Sequence, residues 1–558
     1  MWRACIVLIL AVQAWGTHRT LNISRDLVRL GIANRNAVPD RRNWDAAVPL
    51  RAAIGYALTH GVTQIVADRG AYYFTSRQSP NRYIALRHAH DLALDFAGSQ
   101  LYFADSYVTA FDLVDCRRVT LGNFTLDFQH LPFTQVRLLS VGPATRALKY
   151  VVEPEFRNPI ELAASGELWA LAFRNGSLVL GTNRLPIERI SSDTELRTTL
   201  TDAPWAQATA LERLGAGDTI VITARGGPAV LRAENSEQVT FRNVVIHAAG
   251  SLAIQMDRTR NSVVDSVHVI PAAGRWISSN ADGIHVSYAG AGNRVINNAI
   301  RGTMDDGIAL NSQFLAFVER ADGRRITVRR VFESPIPNGT AISFVDPTTG
   351  LLHGRTTVAI QTGESLTLSS AVPELKSGWG IVPANMTERG DGTVISGNTV
   401  EDVFSARGIF LSGVSGVRVE RNKVSRTGAG GIVVHQDLAA YPAPPSDDIN
   451  ITANTLDRAV RPVMGAGAVA GLGAIFALAT DTSFAPLPVP TLSRIRVTGN
   501  RIVDPGRTAI WLGNTRDAVV SDNVIEVRGP REDVLLWGIH EKWASQLRRD
   551  AHHNVVIR

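Results

Sequence analysis

Two short motifs recur through the second half of the chain, and this repeat constrains the fold more than any other feature of the sequence. In one motif, a β-branched run ends in an asparagine that is followed within two residues by an aliphatic side chain. In the other, a small residue precedes isoleucine, any residue and an aliphatic residue. The asparagines are Asn243, Asn298, Asn398, Asn422, Asn454, Asn500 and Asn523, and the isoleucines are Ile254, Ile284, Ile308, Ile409, Ile432 and Ile510.

Several copies of the asparagine motif are 23 or 24 residues apart, as from 500 to 523 and from 398 to 422. Runs this short cannot bury an apolar face alone, but coils stacked on one another can bury a continuous one. The repeat therefore predicts an all-β chain folded as a parallel β-helix, with aliphatic side chains inside and asparagines paired between coils at the turns. The alternative, a β-sandwich, would need tight two-residue hairpin turns, and the sequence lacks them.

The remaining segments are interpreted around this solenoid. Trp44 to Leu58 is predicted to form an amphipathic helix that caps its N-terminal end. Residues 134–225 and 314–390 break the repeat and contain alternating strands, so we expect two inserted β-barrel-like domains there. The predicted division is a signal peptide (1–14), the cap and first coils (15–133), the first insert (134–225), coils with candidate catalytic aspartates (226–313), the second insert (314–390) and C-terminal coils (391–558).

The first residues and the charge distribution indicate where the protein works. Arg3, an apolar stretch and a small-residue exit near Ala14 resemble a bacterial signal peptide cleaved near Ala14, which predicts a secreted or periplasmic protein. That stretch is too short to span a bilayer, and no later segment is predicted to span one. Cleavage would leave Cys116 as the one cysteine, so no internal disulfide is expected. The formal charge is +6, but arginines are scattered along the chain, which argues against nucleic-acid binding.

Acidic residues occupy one column of the repeat on two successive coils. Asp282 and Asp306 are 24 residues apart and each precedes Gly-Ile, and Asp305 adjoins Asp306. Coils stack about 4.8 Å apart, so diverging side chains could hold carboxyl groups roughly 5 to 9 Å apart, the separation used by two-carboxylate glycosidases. Crowded carboxylates cannot all ionise easily, which suits one of them to donate a proton. A single Asp-Gly pair is usually a turn, but two in register favour a catalytic site.

The segments Asn280 to Val286 and Met304 to Asn311, set among β-helix repeats with two inserts, resemble glycoside hydrolase family 110, the inverting exo-acting α-1,3-galactosidases. The resemblance extends from about Asp40 onward. It implies a right-handed β-helix, a glycan with terminal α-linked galactose as substrate, and no metal or other cofactor. It also implies that Asp282 is the general acid and that Asp305 or Asp306 is the base.

Two other functions are compatible with parts of the pattern. Polygalacturonases carry a similar aspartate pattern, but the Gly-His-Gly and Arg-Ile-Lys segments that accompany it in them are missing from this chain. A non-catalytic β-helix that binds glycans at a cell surface would tolerate replacement of Asp282. Metal binding has little support, because the sequence has no cysteine cluster or His-x-His pattern.

Four further residues are candidate substrate contacts, and each also has a structural interpretation. His285 could bond a sugar hydroxyl or adjust Asp282, or simply pair with a neighbouring coil. Trp276 could stack on the apolar face of galactose or pack within its loop. Asn311 is a sugar-binding amide or a turn former. Arg407, which follows Asp306 in the same column, could hold a carboxylate ionised or bind a hydroxyl.

Overall fold

The computed structural model describes residues 20–26, 40, 42–162, 168–179, 181–182, 185–192, 194–198, 211–331, 335–460 and 473–528, and the backbone of 539–542, 548–549 and 555–557. The predicted signal peptide, residues 1–14, lies outside this part of the chain. No helix within the described ranges is long and apolar enough to cross a membrane. The thiol of Cys116 is buried and unpaired, and burial raises its pKa to about 11.

The predicted parallel β-helix is confirmed. Within the described residues, two sheets of parallel strands run along the solenoid. We call the smaller one the site sheet; its strands are Arg82–Arg87, Thr109–Val114, Leu231–Glu234, Ile254–Asp257, Ile284–Ser287, Ile308–Asn311, Arg407–Ser412, Gly430–Asp437, Gly473–Thr480, Thr508–Gly513 and Ile539–Lys542.

The other sheet, called the long sheet, covers the rest of each coil and bends at the asparagine motif. Its strands are Thr20–Asn22, Gln64–Val66, Ala71–Phe74, His90–Asp105, Arg117–His130, Thr240–Ile246, Val263–Val269, Arg294–Ile296, Ala299–Thr303, Val394–Ser396, Thr399–Val403, Ser415–Glu420, Lys423–Thr427, Asp447–Thr452, Thr455–Asp457, Leu492–Thr498, Arg501–Val503, Thr515–Arg516, Val519–Ser521, Val524–Glu526, Arg548–Arg549 and Val555–Ile557.

The isoleucine motif forms a buried column in the site sheet. Ile284 pairs with Ile254 on one side and with Ile308 on the other, and all three are fully buried. The residue before each isoleucine is small for a steric reason. A Cβ added to Gly307 would lie 2.4 Å from Cγ1 of Val400, an inward side chain of the long sheet. The motif therefore requires a small residue because the inner faces of the site sheet and the long sheet approach closely at this corner of the coil.

The asparagine motif forms a hydrogen-bonded ladder at the bend of the long sheet. Nδ2 of Asn398 donates to Oδ1 of Asn422 at 2.9 Å, and the same bond joins Asn298 to Asn398 and Asn422 to Asn454. Each of these side chains also closes a backbone bond, since the N–H of Asn398 donates to Oδ1 of Asn422 at 3.0 Å. Asn243 is different: its side chain is exposed and bonds Asn123, because Asn243 falls one position before the ladder.

One helix, Ala47–His60, packs its buried face on the core near the N-terminal coils. It starts three residues later than predicted because Asp45 forms an isolated parallel bridge with Tyr73, and the Oδ1 of Asp45 accepts the N–H of Ala47. Gly61 ends the helix in a left-handed conformation with φ of 67°. The described 3₁₀ turns are Pro159–Glu161, Leu211–Arg213 and Met386–Glu388.

The two predicted β-barrel-like inserts are present as rings of six antiparallel strands, each with its own apolar core. The first ring contains Phe133–Gly142, Ala147–Val152, Glu195–Thr198, Leu185–Ser192, Leu168–Arg174 and Thr219–Ala224, with Ser177–Leu178 added to one strand. The second ring contains Ala316–Asp322, Arg325–Arg330, Ser365–Leu368, Leu352–Thr362, Ala341–Val345 and Gly380–Pro383.

The inserts flank the site sheet because of where they leave the solenoid. The first returns to the coil just before a site-sheet strand, at Leu231. The second departs just after another one, which ends at Asn311. Parallel strands all start at one edge of a sheet and finish at the other, so the first barrel lies at the starting edge and the second at the finishing edge.

Candidate active site

Three aspartates meet at the starting edge of the site sheet. Asp282 and Asp306 stand two residues before the paired Ile284 and Ile308, so the repeat itself superimposes them. Their residues are only 4% and 3% exposed. Together with Asp305 they bring one carboxylate oxygen each to within 4.8 Å of the others. Thus the structure brings together all three predicted catalytic residues.

The closest oxygens are nearer to one another than the spacing of roughly 5 to 9 Å expected from stacked coils with diverging side chains. The reason lies in the positive groups around them. Arg407, Arg225 and His285 each contact one of the three carboxylates at 2.6 Å or less. Such partners offset the repulsion that would otherwise drive like charges apart.

Asp282 is hydrogen-bonded to His285, which is one of the contacts that the sequence allows for that histidine. Nδ1 of His285 donates to Oδ2 of Asp282 at 2.5 Å, while Oδ1 of Asp282 accepts the backbone N–H of Asp306 at 3.2 Å. Burial acts to lower the pKa of His285, but the bond to Asp282 and the surrounding negative charge outweigh it, so this pKa is raised. The pair therefore tends to retain a proton.

Asn311 contacts the other ring nitrogen. Its side-chain amide lies 3.1 Å from Nε2 of His285, and its Oδ1 is buried with no hydrogen-bond partner among the described residues. A protonated imidazole has two donors. When His285 is protonated, a half-turn of the amide directs Oδ1 to Nε2 and leaves the NH₂ group for another acceptor.

Asp306 and Arg407 form a two-pronged ion pair. Nε and Nη2 of Arg407 donate to the two carboxylate oxygens at 2.7 and 2.6 Å, and the backbone N–H of Arg407 adds a third bond at 2.9 Å. Burial raises the pKa of Asp306 to about 6, with Arg407 opposing the rise and the other two aspartates adding to it. The Arg407 guanidinium also lies 3.7 Å from the ring centre of Phe410.

Two residues near the aspartates were not predicted. Nη1 of Arg225, at the exit of the first barrel, donates to Oδ2 of Asp305 at 2.6 Å. Tyr441 is 45% exposed, and burial of its hydroxyl together with the negative charge of Asp305 raises its pKa. Its loop begins at Asp437, whose Oδ1 accepts two successive backbone N–H groups. No repeat links either residue to the aspartates, so the sequence held no signal for them.

Trp276 has the packing role that was weighed against sugar stacking. Its ring stacks on Phe173 of the first barrel, with centres 5.0 Å apart and planes at 14°. Its backbone N–H donates to Oε1 of Gln135 in the same barrel. The tryptophan thus fixes the first barrel on the solenoid beside Asp282, and a sugar contact by this residue stays a prediction.

The three aspartate oxygens are also close enough to hold a divalent cation. Arg225 and Arg407, however, already bond oxygens of Asp305 and Asp306. A cation placed there would have to face two guanidinium groups, so this donor set fits a metal ion poorly.

No family model matches the chain. Among curated proteins, it is 24% identical over 302 residues to an α-1,3-galactosidase B of Parabacteroides distasonis, covering 51% of this chain and 48% of that protein. It is 24% identical over 414 residues to an α-1,3-galactosidase B of Phocaeicola vulgatus, covering 66% and 67%. It is 23% identical over 425 residues to an α-1,3-galactosidase A of Bacteroides thetaiotaomicron, covering 70% and 73%. The resemblance to α-1,3-galactosidases is thereby confirmed.

The matched segment spans about half the length of the first of these relatives and two thirds of the second. Among solved structures, the chain is similar to an exopolygalacturonase of Thermotoga maritima, with a TM-score of 0.47, 11% identity and coverage of 96% of this chain and 91% of that one. It is also similar to the A-module of a mannuronan C-5 epimerase of Azotobacter vinelandii, with a TM-score of 0.44, 11% identity and coverage of 96% and 99%.

Proposed function

We propose that the protein is a glycoside hydrolase that removes terminal α-1,3-linked galactose from glycans, acting from the chain end and inverting the anomeric carbon. One observation carries the proposal: three carboxylates from consecutive coils, two of them buried and one partly exposed, converge within 4.8 Å. Glycoside hydrolysis in most families uses such carboxyl groups as acid and base. The relatives named α-1,3-galactosidase support the choice of sugar and linkage.

Asp282 acts as the general acid in this proposal. Its hydrogen bond with His285, whose pKa is raised, keeps one proton within the pair. That proton moves across the hydrogen bond from Nδ1 of His285 to the carboxylate of Asp282, and from Asp282 to the glycosidic oxygen as the bond to the anomeric carbon breaks. The leaving sugar then departs as a neutral alcohol, and His285 is left neutral. His285 supports the acid without touching the substrate's reacting atoms.

Asp305 acts as the base that removes a proton from the attacking water. It is the more exposed of the adjacent aspartates, with 16% of its side chain accessible against 4% for Asp306. Both oxygens of Asp306 already accept bonds from Arg407, which suits Asp306 to position the cluster and set its charge. The choice between the two aspartates, left open by the sequence, is thus argued from exposure and hydrogen bonding.

Substrate contacts are proposed for Tyr441 and for polar groups that lie beyond His285 on the outward face of the site sheet. Asn311 pairs in register with Ser412, whose Oγ is buried with no partner among the described residues. Buried polar groups without partners are uncommon, and a sugar hydroxyl would satisfy this one. Tyr441, exposed at the edge of the cluster, is suited to pack on the apolar face of galactose.

The test measures galactose release from an α-1,3-galactosyl disaccharide. We expect Asp282→Asn and Asp305→Asn each to lower kcat by roughly 10²- to 10⁴-fold, and Asp306→Asn to retain more activity with a changed pH profile. Unimpaired turnover in both of the first two variants would refute their roles as acid and base, whereas no galactose release by the unmodified protein would favour the alternative, a glycan-binding β-helix without this chemistry.

The stereochemistry needs a separate measurement. The nearest aspartate oxygens are closer than the roughly 6.5–9.5 Å between carboxyl groups that is typical of inverting enzymes, so inversion is inferred from the resemblance. Proton NMR during the first minutes of hydrolysis should detect β-galactose before mutarotation. Initial formation of α-galactose would overturn inversion and leave the hydrolytic proposal intact.

A further inference from the structure

A cleft lies at the opposite edge of the site sheet from the aspartates. It measures about 780 Å³ and lies between the turns of the solenoid and the second barrel. Its walls combine side chains from both, among them Asn235, Arg258, Arg260, Tyr288, Pro335 and Pro337. Its volume falls within the range of small-molecule sites, roughly 300–1,000 Å³.

One strand connects the cleft to the aspartates. Asp282 comes two residues before the strand Ile284–Ser287, and Tyr288, which lines the cleft, comes directly after it. At about 3.3 Å per residue, these six steps place the cleft roughly 20 Å from Asp282. Both sites therefore lie at the ends of the same outward face.

Arg258 joins this face to the cleft. Its Nη2 contacts Oδ2 of Asp257 at 2.9 Å and Oε1 of Glu234 at 2.6 Å. Both carboxylates end site-sheet strands on successive coils. The same arginine lines the cleft.

The outward face is polar on one side of the aspartates and apolar on the other. In the column of His285, the coils towards the N-terminus carry Gln255 and Arg232, both partly exposed. The coils towards the C-terminus carry Phe410 and Phe476, which are buried in a separate apolar cluster. A hydrophilic ligand that leaves the aspartates can therefore continue over the N-terminal coils, and the cleft lies on that side.

The cleft offers both kinds of surface that a sugar requires. Pro335 and Pro337 are exposed apolar rings, whereas Arg260, Asn235 and Glu388 supply donors and acceptors. The carboxyl group of Glu388 is half-buried, and this burial raises its pKa. Pyranose rings have apolar C–H faces and a rim of hydroxyls, so this combination matches their chemistry.

We infer that the cleft binds the part of the glycan that is not cleaved off, so that the substrate is an extended oligosaccharide reaching roughly 20 Å beyond the scissile bond. This rests on the proposed function, because it assigns the cleft to the leaving portion of the same substrate. The barrel wall then selects chain length, while the aspartates select the terminal sugar and its linkage.

The experiment compares a disaccharide with a hexasaccharide that ends in the same α-1,3-linked galactose. For the unmodified protein, we expect kcat/KM to be roughly tenfold higher for the hexasaccharide. Thr387→Trp fills the cleft from an exposed position of its wall. It should remove that advantage and leave the disaccharide value within about twofold.

Matched controls separate the cleft from general damage. Met386→Trp adds the same ring to the preceding residue, which is exposed and does not line the cleft, and should preserve the advantage. Arg260 and Arg117 both approach Glu237, at 3.9 and 3.8 Å, but only Arg260 lines the cleft. Arg260→Ala should therefore raise KM for the hexasaccharide about threefold, and Arg117→Ala should leave it unchanged.

Each outcome decides the inference. Equal kcat/KM for the two substrates, or equal losses on both in Thr387→Trp, would overturn it while the proposed hydrolysis stands. Hydrolysis of neither substrate would contradict the proposed function. Calorimetric binding of the intact hexasaccharide would then decide the cleft, with weaker binding by Thr387→Trp expected and equal binding refuting it.

Discussion

Replacing Arg407 by methionine tests whether the charge of Asp306 controls the cluster. Methionine keeps an unbranched side chain but removes both side-chain donors to the carboxylate, so that the backbone N–H of residue 407 remains as a donor. The pKa of Asp306 is raised to about 6 by burial, and the guanidinium of Arg407 opposes this rise; the variant removes that opposing charge. A close opposite charge usually lowers a carboxyl pKa by about 1–3 units, so we expect a rise of that size.

The size of the effect follows from the ionised fraction. With a pKa of about 6, Asp306 is roughly 90% ionised at pH 7, whereas with a pKa of about 8 it would be roughly 10% ionised. We therefore expect the acid limb of the kcat/KM profile to move from about pH 6 to about pH 8, with activity at pH 7 falling roughly tenfold.

Stability should respond in a defined direction. In the unmodified protein the pKa of Asp306 in the folded state, about 6, exceeds its ordinary value of 3.8. The folded protein thus binds more protons between these values, and the contribution of Asp306 is greatest below pH 3.8 and is lost as the pH rises through 6. In Arg407→Met that loss should continue to about pH 8. Above that pH, a rise of about two pKa units should lower the free energy of unfolding by about 3 kcal/mol relative to the unmodified protein.

A matched variant provides the control. Arg426 also makes a two-pronged contact with a carboxylate, that of Asp402, at 2.9 Å for both bonds, but its side chain is 31% exposed. Arg426→Met should cost about 0–1 kcal/mol and leave the pH profile in place. If Arg407→Met folds, as shown by circular dichroism and urea unfolding, and keeps its acid limb at pH 6, then the ionisation of Asp306 does not control the rate.

Three further predictions concern the scaffold and the chemistry of the site. Asn422→Ala should lower the free energy of unfolding in urea by about 3 kcal/mol, because it leaves buried ladder partners unsatisfied. Asn243→Ala removes a side chain of the exposed pair and should change this free energy by less than about 0.5 kcal/mol. Gly307→Ala should lower the free energy of unfolding by about 1–3 kcal/mol, because the added Cβ would lie 2.4 Å from Val400. Gly55→Ala adds a Cβ to open space in the helix and should raise this free energy by up to about 1 kcal/mol; thermal unfolding of both variants measures the difference. Dialysis against EDTA should leave galactose release unchanged, since arginines occupy the carboxylates; loss of activity restored by a divalent cation would refute this.

The fold could be predicted because every coil of a solenoid must make the same packing contacts with its neighbours. The same corner must be filled on every coil, so the small residue before each isoleucine and the asparagine at each bend recur in the sequence. Asn243 shows the limit of this reasoning. Its local sequence matches the motif, but its register differs by one residue, and only pairing with its neighbours decides whether such a side chain points inward or outward.

In the candidate site, too, the residues that lie on the repeat could be predicted and those on insertions could not. Asp282, Asp306 and Arg407 occupy equivalent positions on successive coils, so their spacing in sequence translates directly into contact in space. Arg225 and Tyr441 reach the aspartates from the exit of a barrel and from a long loop, where no period relates sequence distance to position. Trp276 lies in such a segment too, and its ring proved to pack on Phe173. In a solenoid, residues on the repeat supply the predictable part of a site, and insertions supply the part that distinguishes one substrate from another.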